Sequence, residues 1–510
     1  MSLPNCFSSE SANAILDLAA RLLGRDPVQA ELDPVCCALA QLASQQERGL
    51  DSLPLEDIAG EDLHWLPGDS KKNGRGFPDC EELIRILRDE GKNLIALGPC
   101  EADSELPFVL EGQKLYTRKN YLARKAVLDG FRARCGEAYP AMEPEEADFA
   151  ALSEEGLDNL WNRGVTVLAG GTHSGKEALA ARYVFHGLNR DPQAIIRIVA
   201  PTHADVRRFD AEFKATVSQR GFPGGACYPK AMTIHKALGL RPDGSRSGKT
   251  PPITMASCVV VLVAHRIDLS VFATLMEAVL QGAKLLLVGD PEQKMGDQLG
   301  QIFTELVPIA QERGCCVQGQ FQCTLHEDAP RDCGGPPAKL QFWNGHSVVG
   351  DFFPAIQEKW AAFRASRTPE EALAHRDDFH VLCEDADGYF GATAFNKYLQ
   401  GLFANGPRLC KVNVDDPLLG ISHWDIAVQM PGDPEHFWLP SIDGGAPRSF
   451  ATALLPSLEP AWALTVKEAA EHSFNSCFVM LNPDDNYYAE NLYAAKDCCR
   501  DAFQLWKLNS

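Results

Sequence analysis

Residues 170–177 read GGTHSGKE. Seven of the eight positions fit GxxxxGK[ST], the pattern of a loop that cradles phosphate. Such a loop aims backbone N–H groups and a helix N-terminus at phosphate oxygens. Gly170, Gly171 and Gly175 let a ligand approach the backbone closely, and Lys176 would reach the β and γ phosphates. Thr172, His173 and Ser174 complete the loop; His173 either crowds the phosphate path or is tolerated there. The eighth position calls for a hydroxyl to hold Mg²⁺, and it is Glu177. A carboxylate can bind a metal, but it also sets a negative charge beside the phosphates of ATP. That repulsion is on the order of several kcal/mol at low effective dielectric.

The loop needs a strand before it and a helix after it. VTVLAG (165–170) is an apolar run suited to a buried strand, and KEALAARYVFHGL (176–188) has helical periodicity. AIIRIVAP (194–201), CVVVLV (258–263) and AKLLLVGD (283–290) are further β-rich runs with helical stretches between them. Alternation of this kind predicts an α/β fold, a parallel sheet covered by helices. A second α/β region is marked by FHVLC (379–383), SCFVML (476–481) and AFQLWKL (502–508). Residues 1–135 show helical periodicity and one hairpin, with EGQ (111–113) as its turn. Residues 136–148, rich in Pro and Glu, read as a linker.

Several stretches together resemble the RecD family, the α subunit of exodeoxyribonuclease V and a superfamily 1 helicase. VAPTHADVRRF (199–209), AMTIHKALGL (231–240) and KLLLVGDPEQ (284–293) resemble motor motifs of that family, in its order and spacing. PFVLEGQKLYTRKNYLARKAV (107–127), TVKEAAEHSF (465–474) and ENLYAAKDCCRDAFQLW (490–506) resemble RecD segments outside the first motor domain. The resemblance runs from about 100 to 508. It implies a mainly helical N-terminal domain (1–135) that docks to other subunits. Two RecA-like P-loop NTPase domains would follow, at 149–328 and 329–510; within the second, short β-like runs broken by Gly and Pro at about 405–460 read as a small β-barrel insert. Asp290 and Gln293 would then sense a γ-phosphate or serve as turn residues. Thr202, Thr233 and His235 would contact nucleic acid or be hydrogen-bonded core residues.

The departures from the family fall on the chemistry. Two acidic positions, which in the family hold Mg²⁺ and polarise water, are Leu262 and Val263. Neither side chain offers the oxygen that a hard cation needs. Lys, Gln and Gly positions that couple nucleotide to DNA are Glu468, Ala470 and Glu471. An arginine that would stabilise the transferring phosphate is Cys498; the nearest candidate for a second, Arg331, is displaced by about one position. An arginine finger is worth roughly 10³–10⁵ in rate. The apolar strands survive beside these losses, the pattern expected of a protein kept for its shape.

Net charge is −21 over 510 residues, so the chain as a whole is a poor autonomous DNA binder, since such binding rests on Lys and Arg. There are 17 cysteines and no CxxC, which favours reduced, mostly buried thiols over a cluster at Cys315, Cys316, Cys323 and Cys333. No apolar run reaches membrane-spanning length, and the N-terminus lacks a signal-peptide pattern, so a cytoplasmic protein is expected. The expectation is a RecD-like pseudo-helicase subunit of a RecBCD-type helicase–nuclease in double-strand break repair and recombination. It would reach DNA ends only through the complex and would require no cofactor and no resident metal. Its degenerate loop leaves ATP and Mg²⁺ binding open. The alternatives are an active ATP-dependent 5′–3′ helicase with unusual motifs, and a nucleotide sensor that does not hydrolyse.

Overall fold

The computed structural model describes residues 10–507 except 27–29, 48–49, 62, 64–75, 100–104, 137–151, 172–173, 241–245, 247–250, 292–300, 320–338, 344–352, 388–390, 404, 414–420, 422–424, 442–445, 455–457, 470–471, 473, 482–490, 493–494 and 497. The described residues form two compact units.

The first unit takes residues within 1–136, 265–277 and 297–309. Helices Glu10–Leu23, Pro34–Glu47 and Cys80–Glu90 bury one apolar core that includes Leu16, Leu39, Leu83 and Leu87. Asp79 caps the third helix by accepting from the Glu82 N–H at 2.9 Å. These helices share the unit with a four-stranded sheet of order β1-β4-β3-β2, from β1 (Leu53–Pro54), β2 (Ile95–Leu97), β3 (Phe108–Glu111) and β4 (Lys114–Thr117). The hairpin expected at EGQ is β3–β4, with Glu111 opposite Lys114 and Gly112 at φ +60°. Helix Arg118–Cys135 follows, and its Arg124 bridges Glu111 (2.8 Å) and Glu305 (2.7 Å).

The second unit holds the two parallel sheets. The first has order β10-β5-β9-β8-β6-β7 and every pairing in it is parallel. Its strands are β5 (Val165–Ala169), β6 (Ile196–Ala200), β7 (Lys230–Thr233), β8 (Cys258–Val261), β9 (Lys284–Gly289) and β10 (Cys316–Gln318). Every residue of β5 and β8 is buried, as a sheet covered on both faces requires. Helix Lys176–Arg190 lies against Trp161, and a Cβ at Gly187 would come within 2.2 Å of that ring. Only glycine admits so close an approach.

The second parallel sheet has order β11-β20-β19-β12-β18, from β11 (Lys339–Trp343), β12 (Phe379–Cys383), β18 (Ala463–Thr465), β19 (Phe474–Leu481) and β20 (Cys499–Lys507). The region expected to form a β-barrel is a five-stranded antiparallel sheet of order β16-β15-β14-β13-β17. Its strands are β13 (Arg408–Val412), β14 (Ile426–Met430), β15 (Asp433–Leu439), β16 (Arg448–Ala451) and β17 (Leu458–Pro460). Among the described residues its edge strands β16 and β17 do not pair, so the sheet does not close. Closure needs strands long enough to tilt and stagger against each other, and these edges have four and three residues. Leu409, Ile426, Val428 and Met430 of this sheet share one core with Val381, Leu464 and Val479 of the parallel sheet.

A buried ion pair joins the same two sheets. Lys411 on β13 meets Glu468 in the short helix Val466–Ala469 that follows β18. Glu468 also closes a capping box: its carboxylate accepts from the Thr465 N–H at 2.8 Å, and Thr465 Oγ1 accepts from the Glu468 N–H at 3.1 Å. Lys411 thus pairs with Glu468, which stands where the resemblance implies a lysine, and its Nζ also lies 3.3 Å from the more exposed Glu459.

Of the described cysteines all are free, and most are buried. Burial pushes the Cys36, Cys258 and Cys316 thiols up to about 12, so they stay protonated and unreactive at neutral pH. Cys323 and Cys333 lie outside the described residues. Among the described residues there is no group of three or more potential metal ligands, and no helix is long and apolar enough to cross a membrane.

His380 on β12 is fully buried, with Nε2 3.0 Å from the Arg376 carbonyl and its ring 4.0 Å from that of Phe474. Burial lowers its pKa to about 4. The unfolded chain therefore takes up this proton first as pH falls. The His380 share of stability is intact above pH ~6.5 and is lost progressively down to pH 4, amounting to about 3 kcal/mol. Urea unfolding across that range should show the slope, and His380→Leu should flatten it. For the inter-sheet pair, Lys411→Met and Glu468→Gln should each cost about 3 kcal/mol, with the double variant at least ~1 kcal/mol better than additive. Additive costs would show that the two side chains do not interact.

Candidate functional site

In a parallel sheet every strand delivers its carboxyl end to the same edge, where ligands of such folds bind. Here that edge collects Ala169, Ala200, Thr233, Val261 and Gly289, the last residues of β5, β6, β7, β8 and β9. The sequence-predicted residues Gly170, Gly171, Ser174, Gly175, Lys176, Glu177, Thr202, Thr233, His235, Leu262, Val263 and Asp290 lie at or just beyond these ends. Thr172, His173 and Gln293 are outside the described residues, as are Arg331, Ala470 and Glu471.

The loop after β5 is tied to its neighbour strand: the Gly170 N–H donates to the Gly289 carbonyl at 3.1 Å. Asp290 follows immediately and is 1% exposed. Gly175 sits at φ +82°, the left-handed conformation that turns the chain into helix Lys176–Arg190. Ser174 closes a turn by donating its N–H to the Gly171 carbonyl at 3.2 Å. The Ser174 hydroxyl is buried with no hydrogen-bond partner among the described residues.

Lys176 is folded back into its own loop. Its Nζ donates to the Gly171 carbonyl at 2.9 Å and lies 3.4 Å from Glu177 Oε1. The Lys176 side chain is only 6% exposed, that of Glu177 26%. Burial alone would push the Glu177 carboxyl up, but Lys176 and then Arg208 act against it and hold it below the ordinary value. Glu177 is therefore ionised at neutral pH. In sequence Arg208 is an ordinary helix residue; only the fold brings its charge to bear on Glu177.

Leu262 and Val263, the two residues that follow β8, offer no side-chain oxygen. Leu262 donates its N–H to the Val199 carbonyl at 2.8 Å. Its side chain, 2% exposed, joins the core with Leu168, Leu179 and Val288. Val263 has φ +50°, left-handed backbone that a β-branched residue rarely adopts. That conformation costs about 1–3 kcal/mol and persists because flanking structure holds it.

The polar residues on neighbouring strand ends divide. Thr202 is a helix cap: its Oγ1 accepts from the Asp205 N–H at 3.2 Å and donates to Asp205 Oδ2 at 2.8 Å. Thr233 is buried at the end of β7 and precedes helix Ile234–Leu238 without a side-chain cap bond. His235, in the first turn of that helix, is exposed, and its carbonyl accepts from the Leu240 N–H. Cys498 belongs to the second parallel sheet's core, 1% exposed, with Sγ 3.3 Å from the Ala469 carbonyl. It presents no positive charge.

Comparison with known proteins agrees with this geometry. The family model described as an AAA domain matches residues 153–297, the span from before β5 to just past β9. The RecBCD enzyme subunit RecD of Mycobacterium tuberculosis is 24% identical over 496 residues, covering 86% of this chain and 80% of the relative. The RecBCD enzyme subunit RecD of Mycolicibacterium smegmatis is 29% identical over 431 residues, 74% of each chain. Among solved structures, Pif1 helicase from Bacteroides in complex with ADP-AlF3 and ssDNA aligns at 11% identity and TM-score 0.39, over 70% of this chain and 92% of that one. A likeness that loose adds nothing to what the parallel sheets establish. With motif order and similarity over 74% to 86% of the chain in agreement, the chain is RecD-like.

Proposed function

We propose that this chain is a RecD-like pseudo-helicase: a structural or regulatory subunit of a RecBCD-type helicase–nuclease that does not itself hydrolyse ATP. The observation that carries the reading is the turn after β8. Hydrolysis of Mg²⁺-ATP needs an oxygen ligand for the cation and a group to polarise water. Leu262 and Val263 stand there, and the Leu262 side chain is committed to the core. Rotation of a side chain cannot remedy that.

Three further features support it. Lys176 is engaged with Gly171 and Glu177 within the loop. Glu468 is turned toward Lys411, in the segment that resembles the family's coupling motif. Cys498 is apolar in its surroundings and uncharged. The residues present thus do not fit Mg²⁺-ATP, and we assign the chain no catalytic residue, no required cofactor and no resident metal.

The role as a subunit is supported by the RecD relatives, which are named as subunits of the RecBCD enzyme. The partners on this reading are the other subunits of such a complex, in the cytoplasm, and DNA ends are met through them in break repair and recombination. A net charge of −21 suits docking to proteins better than gripping a phosphate backbone.

The test is ATP hydrolysis by the purified protein, alone and with single-stranded DNA. Turnover is expected to be indistinguishable from that of Lys176→Ala in both conditions. DNA-stimulated turnover that disappears in Lys176→Ala would overturn the pseudo-helicase reading in favour of an active helicase.

A further inference from the structure

We infer that Glu177 is the loop's own standing counter-ion: its carboxylate engages Lys176 in the role of a phosphate, so the loop rejects polyphosphate anions while that charge is present. This deepens the reading of the site given above, on which it rests, by naming what controls entry to it.

The geometry is local. Lys176 Nζ has three N–H donors. One is directed at the Gly171 carbonyl at 2.9 Å, and Glu177 Oε1 lies 3.4 Å away. Both contacts are made by a buried ammonium, where charge interactions are screened little. Glu177 is tethered one residue from Lys176, so its local concentration exceeds that of any free anion. It also lies in the first turn of helix Lys176–Arg190, where the helix dipole favours negative charge. An arriving phosphate would have to displace this carboxylate and then lie beside it.

The carboxylate does not give up its charge easily. Burial favours the neutral form, yet Lys176 and Arg208 keep Glu177 ionised. Arg208 is exposed, with its Nη1 4.0 Å from Asp205 one turn earlier in the same helix, and its charge adds to that of Lys176 in keeping Glu177 ionised. A hydroxyl at position 177 would create none of these conflicts.

The experiment is calorimetric titration with inorganic pyrophosphate and with ADP, without Mg²⁺, at neutral pH. The proteins are the full chain as it stands, Glu177→Gln, Glu177→Thr and Glu177→Gln/Lys176→Ala. Glu177→Gln keeps the size of the side chain and drops only the charge. It is expected to bind pyrophosphate at least tenfold more tightly than the parent, and the double variant to lose that gain. Equal affinity of the parent and a folded Glu177→Gln overturns the inference. If Glu177→Gln does not fold, as judged by its thermal melt, Glu177→Thr carries the same comparison. Absence of both gain and ATP turnover defeats this inference alone; turnover by the parent defeats the pseudo-helicase reading, whatever the variants bind.

Discussion

The parallel register of the six-stranded sheet is the constraint on which the rest depends. Because β5 to β10 all run the same way, their carboxyl ends share one edge, and Gly170, Thr233, Leu262 and Asp290 lie at or just beyond it. A buried parallel sheet needs apolar residues on both faces of its strands. That requirement acts on β5, β8 and β9 whatever the turns contain. The apolar character of the strands is therefore independent of the turns, where Leu262 and Val263 bring no side-chain oxygen.

The altered turns are not left unsatisfied. Where a hydroxyl is expected, Glu177 stands, and Lys176 and Arg208 compensate its charge. Where the resemblance implies a lysine, Glu468 stands, and Lys411 compensates it across two sheets. Both are partly or wholly buried carboxylates, which an interior tolerates only when paired. Leu262 solves the problem differently, by joining the core. Val263 keeps a left-handed backbone without a side chain suited to it.

Lys411 and Glu468 fasten the antiparallel sheet to the second parallel sheet, and the capping box of Thr465 and Glu468 starts the short helix Val466–Ala469 after β18. A segment that in the resemblance couples nucleotide to DNA serves here as a joint between layers.

Much of this was legible from the amino-acid order. Apolar runs such as VTVLAG and CVVVLV marked β5 and β8, because burial on both faces leaves a local signature. EGQ marked the β3–β4 turn, and the glycines with Lys176 marked the loop, because turn chemistry also acts over a few residues. Leucine and valine at 262 and 263 declared the missing oxygens by residue type alone. What the sequence did not disclose were partnerships over distance. Lys411 and Glu468 are 57 positions apart, and Arg208 is 31 beyond Glu177. The 405–460 region read as a barrel because alternation and breakers report strands, whereas closure depends on strand length and shear, which only the assembled sheet decides. The order of residues determined which strands and turns form; the tertiary structure alone decided which charges meet, since Coulomb energy depends on separation in space and burial, not along the chain.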